Sequence, residues 1–395
     1  MVKWMKWAPS LAALVVAHPA AAQPLVDAVK AGKPILEMRA RYEGVDQAGF
    51  PDTAEAETLR TRLGWETGAW HGLKGLVEFE DVRAAGDYND AVPPAEPYPV
   101  IPDPEVTELN RAQLTWTPAP TATVTLGRQR IVLDDQRFVG NSGWRQDELT
   151  VDAARADFKL GKLALTGAWL GHINRVYGEA LDWKSDSWLA HATYPVSDLL
   201  NLTGFVYALE FDNAAAQSSL TSGVRVTGKA PVGPLTLAYA ASYAHQSDYR
   251  NNPDDFGLDY TDAELAATFG QLTLKGAWER LEGDGVHGFS TPLGTLHAFQ
   301  GWADALTATP ANGIDDKNLT LTWKPVLPLK GVELTARRHD FETERTGASL
   351  GHEWDLLAQA PFTKNLTGVV KWADYDGVAG FTSRRKLWVS LEFKL

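Results

Sequence analysis

Side-chain polarity in this chain alternates with a period of two from residue 34 to the last residue, with almost no helical periodicity, and this limits the available folds more than any other feature. In the final ten residues Leu387, Val389, Leu391, Phe393 and Leu395 fall on one side of an extended backbone, and Lys386, Trp388, Ser390, Glu392 and Lys394 on the other. Leu36, Met38, Ala40 and Tyr42 alternate in the same way with Glu37, Arg39, Arg41 and Glu43, and Leu59, Leu63 and Trp65 with Arg60, Arg62 and Glu66. Each is a strand with one apolar face. Taken singly, such a strand suits a soluble antiparallel sheet as well as a membrane barrel, in which the last strand pairs with the first and removes the open edge.

The number of these strands favours the barrel. Apolar faces recur at Val77 and Phe79, Leu114 and Trp116, Val124 and Leu126, Ala154 to Phe158, Leu163 to Trp169, and Trp188 to Tyr194. They continue at Phe205, Tyr207, Leu209 and Phe211, assigned here to an outward face, and on through Val224, Leu237, Leu265, Leu274, Leu319, Leu334, Leu356 and Val370. The count is about 18 strands, with tight turns such as Trp70-His71-Gly72 alternating with long segments at 87–104 and 282–312. A sandwich or propeller has no use for Leu, Trp and Tyr on one face of nearly every strand. The expected fold is all-β: a single transmembrane antiparallel β-barrel over residues 34–395, preceded by a signal peptide.

Met1 to Ala22, with Lys3 and Lys6 before an apolar run and small residues at Ala20 and Ala22, has the layout of that signal peptide. Residues 23–33 are then a short periplasmic segment, able to form a helix outside the sheet. No later segment is apolar for long enough to span a bilayer as a helix. The chain has no cysteine, and its net charge of −13 argues against a nucleic-acid partner. Fifteen Trp, eleven Tyr and fourteen Phe are a load that a barrel places in girdles at the two membrane surfaces. The histidines show no metal-ligand spacing and no Ser or Cys sits in a nucleophile turn, so neither a cofactor nor a catalytic residue is expected. A hydrolase would have to pair Ser with His172 or His191 across strands.

The densest chemistry is Gly127 to Gln146, GRQRIVLDDQRFVGNSGWRQ, which packs Arg128, Arg130, Arg137 and Arg145 into one stretch. Guanidinium forks grip carboxylates, so grouped arginines suit the passage of an anion. Equally, Asp134 and Asp135 could pair with them and fix a loop inside the barrel. Arg128 and Arg130 share the parity of Val124 and Leu126, so either Gly127 starts a bulge that resets the alternation or the strand ends there. In the segment 282–312, Phe299 and Trp302 could stack on a sugar with His297 as hydrogen-bond partner, but packing of these rings into a loop at the barrel mouth is preferred.

At these residues the chain resembles the alginate export family of outer-membrane proteins. The carriers are GRQRIVLDD-RFVGN-GWRQ, with LEMRARYEGVDQ at Leu36 to Gln47, VEFEDVRAAGDYND at Val77 to Asp90, INRVYG at Ile173 to Gly178, AHQSDYRNNP at Ala244 to Pro253 and TPLGTLHAFQGWAD at Thr291 to Asp304. The resemblance implies an 18-stranded barrel narrowed by loops and lined by cations, through which an anionic polysaccharide passes without energy coupling. It implies pore roles for Arg128, Arg130, Arg137 and Arg145. Strand alternation adds Arg39, Arg41, Arg60, Arg62, Arg111, Arg155, Arg225 and Arg337 as channel-facing candidates. Glu37, Glu43, Glu66, Glu78, Glu80 and Asp157 share those faces, which implies a transverse field rather than a uniform positive potential.

The expectation is a passive outer-membrane channel for anionic saccharides or other small anionic solutes, extending to export of an alginate-type polysaccharide. Its partners would be outer-membrane lipid, the anion itself and, for export, periplasmic components of a secretion system. A general weakly selective porin and a non-conducting structural or adhesive barrel are the alternatives.

Overall fold

The computed structural model describes residues 25–378 and 380–395, so the expected signal segment lies outside the described residues. A short helix α1 (Leu25–Lys30) precedes eighteen strands. They are β1 (Lys33–Gln47), β2 (Ala54–Glu66), β3 (Leu73–Ala85), β4 (Val106–Ala119), β5 (Ala122–Gln129), β6 (Thr150–Leu160), β7 (Leu163–Asn174), β8 (Trp183–Ser197) and β9 (Leu200–Leu209). The second half comprises β10 (Ser219–Val232), β11 (Leu235–Asp248), β12 (Gly257–Phe269), β13 (Leu272–Leu281), β14 (Ile314–Trp323), β15 (Glu333–Glu342), β16 (Ser349–Pro361), β17 (Leu366–Gly377) and β18 (Arg384–Lys394).

Every strand is antiparallel to its neighbours in the chain, and β1 also pairs with β18, so the 18-stranded sheet closes on itself. The closing register sets Met38 opposite Phe393, Ala40 opposite Leu391 and Tyr42 opposite Val389, which continues the apolar outer face across the seam. Closure leaves no row of unpaired backbone N–H and C=O groups, the condition a sheet must meet to stand in hydrocarbon.

The outer face is apolar. Leu63, Phe79, Leu114, Leu126, Leu265, Leu319 and Leu391 all stand exposed on it. Exposed Trp65, Trp116 and Trp323 mark one level of this band, near the short connections, and exposed Trp169, Trp188, Trp354 and Tyr243 mark a second level toward the long loops. Indole and phenol rings, apolar with one polar edge, settle at such interfaces. Short connections at 120–121, 161–162, 198–199, 233–234 and 270–271 share one end with α1 and Leu395, and the loops 86–105, 130–149 and 282–313 share the other.

The inner face departs from the sequence pattern on β9. Phe205, Tyr207 and Leu209, expected outward, are buried inside, while Leu202 and Val206 face out; Phe211 lies beyond the end of the strand and is also buried. The cause is a ring cluster inside the barrel. Phe138 of loop 130–149 lies 5.0 Å from Phe205 and 5.2 Å from Tyr260, and Phe289 of loop 282–313 lies 5.6 Å from Tyr260. Where loops fill a barrel, the wall beneath them is apolar on both faces, and period two loses its meaning.

A charge at mid-height on the outer face should therefore cost far more than a change on the inner face. Leu319→Arg is expected to destabilise the barrel by about 2–4 kcal/mol. Thr193→Ala, which removes a hydroxyl contact to Thr203 at 3.1 Å on the inner wall, is expected to cost at most about 1 kcal/mol. Denaturant unfolding in lipid vesicles measures both.

Candidate functional site

Loop 130–149 leaves β5 and crosses the lumen before returning to β6. Asp134 meets His191 on β8 at 3.0 Å, Asp135 meets Arg225 on β10 at 2.8 Å, and Arg137 meets Glu279 on β13 at 2.6 Å. The returning limb is gripped by β1 and β2. Arg39 donates to Gln146 Oε1 at 2.8 Å and to the Gly143 carbonyl at 3.1 Å, Arg41 to the Trp144 carbonyl at 2.7 Å, and Gln146 Nε2 to Thr58 Oγ1 at 2.6 Å. Hydrogen bonds from charged donors contribute roughly 1.5–3 kcal/mol each, so this grip holds the limb to the wall.

Loop 282–313 docks beside it. Gly140 N donates to the Leu293 carbonyl at 2.8 Å and Thr295 N to the Gln136 carbonyl at 3.0 Å, which joins the two loops into one plug. Gly301, at φ +82°, brings the chain so close to β16 that a Cβ there would lie 2.3 Å from Glu353 Oε2. The next amides then donate to the wall acids, Ala303 N to Glu353 at 2.7 Å and Trp302 N to Asp355 at 3.3 Å.

Asp304 is the charge centre of this junction. It accepts from Lys386 at 2.9 Å, from Arg145 at 2.9 Å and from His297 Nδ1 at 2.8 Å. Burial opposes its ionisation, but His297, Lys386 and Arg145 outweigh that and hold its carboxyl well below the usual carboxylate range. Burial lowers the His297 pKa well below the imidazole norm despite Asp304. The imidazole Nε2 lies 2.6 Å from Lys371 Nζ. Lys371 lies over the rings of Trp144 at 4.1 Å and Trp302 at 3.8 Å, and Arg41 lies over Trp144 at 4.1 Å.

The candidates named from sequence divide into three sets. Arg39, Arg41, Arg60, Arg62, Arg137 and Arg145 are buried under or within the plug. Arg111, Arg130, Arg155, Arg225 and Arg337 are on the inner side and partly open. All but Arg337 have a carboxylate partner: Arg111 has Glu78, Arg130 has Glu148, Arg155 has Asp157 and Arg225 has Asp135. Arg337 instead donates to Thr320 Oγ1 at 3.1 Å and lies over Trp302 at 5.2 Å.

Arg128 is a correction. The register runs through Gly127 without a shift, from Leu114 opposite Leu126 to Ala112 opposite Arg128, so the alternation is not reset. Gly127 sits at φ +106°, where a Cβ would lie 2.3 Å from the Ala112 carbonyl oxygen and only glycine fits, and the strand ends two residues later. Arg128 keeps the parity of outward Leu126. It pairs with Asp152 at 2.8 Å beside a crevice lined by Leu109, His172 and Lys184, away from the plug.

His297 and Trp302, considered as sugar contacts, are buried. His297 is stacked on Trp144 at 4.7 Å, and Phe299 lies beneath Arg137 at 4.7 Å. These rings are packing of the plug.

Sequence reasoning passed over Lys371, Lys386, Glu353 and Asp355, which fasten the plug. Their signal was their position: each sits between outward residues of β16, β17 or β18, such as Lys371 between Val370 and Trp372. Above the plug, toward the long-loop end, a cavity of about 400 Å³ is lined by Trp144, Arg145, Tyr177, Asp304, Arg384 and Lys386. Among the described residues no cluster of His, Asp and Glu could hold a metal ion.

No family model matches the chain, and no curated protein is similar to it. Its fold is shared with solved bacterial structures. The crystal structure of Pseudomonas aeruginosa OpdO superposes with a TM-score of 0.72 at 14% identity, covering 94% of this chain and 98% of that one. Acinetobacter baumannii OccAB4 gives 0.74 at 10% identity over 92% and 98%. Pseudomonas aeruginosa OpdK with vanillate gives 0.71 at 16% identity over 93% and 99%. At these identities the likeness is one of fold. The chain shares with them the closed 18-stranded antiparallel barrel, and the alginate-export resemblance of its motifs has no counterpart among these matches.

Asp304→Ala should release loop 282–313, because it leaves Lys386 and Arg145 buried with weaker partners, at a cost of about 3 kcal/mol in loop anchoring. Single-channel conductance should rise in planar bilayers. In the unaltered protein the depressed Asp304 carboxyl contributes stability present above its unfolded value and lost only as pH falls through the lower folded value. Conductance should accordingly stay flat from pH 7 down to about pH 4.

Proposed function

We propose that the protein is a passive outer-membrane channel for small anionic solutes, carboxylates among them. The observation that carries this reading is a row of guanidinium groups on the inner wall of β1 and β2 at the level of the plug. Arg39 and Arg60 are directly opposite each other in the register, with Arg41 and Arg62 one rung to either side. Arg62 has Glu80 and Glu148. Arg39 and Arg41 reach carboxylates only at 3.9 Å, and Arg60 has none within ion-pair distance among the described residues; its Nε is buried without a hydrogen-bond partner. Arg60 thus leaves a positive charge without a direct ion pair at the level of the plug, and that charge acts on a passing carboxylate or chloride through its potential rather than by contact.

Partly open Arg111, Arg130, Arg155, Arg225 and Arg337 extend this row along the lumen. Because most already hold a carboxylate of the wall or of loop 130–149, a solute displaces an existing partner and leaves again easily, as successive weak sites require. OpdK, whose structure carries vanillate, supports a small carboxylate as the type of solute. Export of an alginate-type polysaccharide, with periplasmic partners, is the narrower reading. It draws on the motif resemblance, while two loops joined across the lumen favour single small solutes over a polymer.

A general porin would differ in one respect: its wall charges would not bias permeation. Arg60→Gln is the discriminating change, since that side chain has no ion pair to orphan. Under a KCl gradient the reversal potential should move toward the cation side relative to the unaltered channel, and Arg130→Ala should add to the shift. An unaltered reversal potential for Arg60→Gln would remove the arginine row from the mechanism, and an anion-to-cation permeability ratio near one in the parent protein would establish the general porin. Absence of current would mean a structural barrel.

A further inference from the structure

We propose that α1, placed by the sequence pattern in the periplasmic segment, lies in the lipid of the inner leaflet, as an interfacial anchor on the outside of the barrel. The helix precedes β1 at the end of the barrel that has the short connections. It is pinned to the outer wall, away from the mouth. Trp65 Nε1 donates to the Val29 carbonyl at 3.0 Å, and Gly68 N, in the turn after β2, donates to the Ala28 carbonyl at 2.8 Å. Trp65 has the parity of exposed Leu63 and lies opposite Pro34, so the indole that holds the helix belongs to the lipid-facing surface.

The helix presents its residues accordingly. At 100° per residue Leu25, Val29 and Val26 span one arc, Ala28 flanks it on one side, and Lys30 and Asp27 occupy the rest. Ala28 is buried against the barrel, whereas Leu25, Val29 and Val26 are 56%, 43% and 58% exposed. One side of the helix is on protein, the next is bare and apolar, and the third is charged. That order fits a helix lying at the edge of a bilayer beside a wall it touches. The bare arc continues the apolar band of Leu63, Val77 and Phe79, so the lipid that covers that band covers the arc as well. A helix folded across the pore mouth would instead turn this arc toward water.

The chain has no cysteine, so single-site labelling tests this directly. Val26→Cys, Leu63→Cys and Val286→Cys, each carrying a bimane fluorophore, are reconstituted in dioleoylphosphatidylcholine vesicles containing doxyl-labelled lipid, with iodide as the aqueous quencher. Leu63 reports the band and Val286, 75% exposed in loop 282–313, reports water. Quenching of the Val26 label closer to that of Leu63 supports the anchor; quenching closer to that of Val286 overturns it, whether the arc then faces water or a soluble partner. Leu25→Cys repeats the measurement should Val26→Cys fail to insert. A Leu63 label quenched by iodide would instead count against the membrane barrel itself, so the two failures are distinguishable.

Discussion

Closure of the sheet by β1 and β18 is the constraint on which everything else depends. A strand edge exposed to hydrocarbon strands its N–H and C=O groups, each at a cost of several kcal/mol, and an open sheet of this length would carry a row of them. Pairing Ala40 with Leu391 and Tyr42 with Val389 removes that edge and also divides the side chains into two populations. One meets acyl chains and must be apolar. The other is enclosed, and for it polarity is permitted wherever water or a partner is present. The alternation seen along the chain is the record of this division.

Enclosure is also what makes the plug possible. A loop that dives into a water-filled barrel gains little unless its backbone polar groups find partners and its apolar residues find a surface. Loop 130–149 finds both: Arg39, Arg41 and Thr58 take up the polar groups of its returning limb, and Phe138 lands on Phe205 and Tyr260. A second, interior core results, with Ile131, Leu133, Val139 and Leu149 of the loop packed against Val151, Leu170 and Leu189 of the wall. Ion pairs sealed beneath it contribute mainly by orienting the loops, because the desolvation of each partner offsets much of the attraction. Joining loop 282–313 to the same plug through Thr295 and Leu293 makes the constriction one body rather than two independent flaps.

How far the chain could be read in advance follows from this physics. The strands were legible because lipid acts on every one of them in the same way, and Leu387, Val389 and Leu391 on β18 show the pattern without interruption. On β9 it failed, since the plug imposes on Phe205, Tyr207 and Leu209 the same apolar demand that lipid imposes on Leu202 and Val206. The inward arginines were legible by parity from Arg39 to Arg62, but their partners were not. Nothing in the spacing links Arg145 to Asp304, or Arg39 to Gln146, because those contacts cross the barrel between loops and walls far apart in the chain. Arg128 misled for a local reason: its place in the arginine-rich block suggested the lumen, and only the unshifted register across Gly127 returns it to the outer face.

The distribution of charge then bears on what can pass. On β12, β13 and β14 the inner wall bears Asp262, Glu264, Glu279 and Asp316 against Lys275 alone, whereas β1, β2, β15, β17 and β18 bear Arg39, Arg41, Arg60, Arg62, Arg337, Lys371 and Lys386 against Glu37 and Glu43. Glu353 and Asp355 on β16 interrupt the basic arc, but their carboxylates are engaged by the amides of Ala303 and Trp302. The field across the lumen therefore has a direction. On the proposed reading, a solute with one charged end and an uncharged body is oriented by such a field, its carboxylate toward β1 and β2, where Glu37 and Glu43 are themselves held by Arg62, Lys394, Arg145 and Lys386. A polyanion wider than the gap must present charge to both walls at once and is repelled by the acidic one. On the proposed channel reading, transverse polarity in a narrowed barrel selects for solutes whose charge is small and confined to one side, and it does so without an excess of positive charge in the chain as a whole, whose net charge is −13.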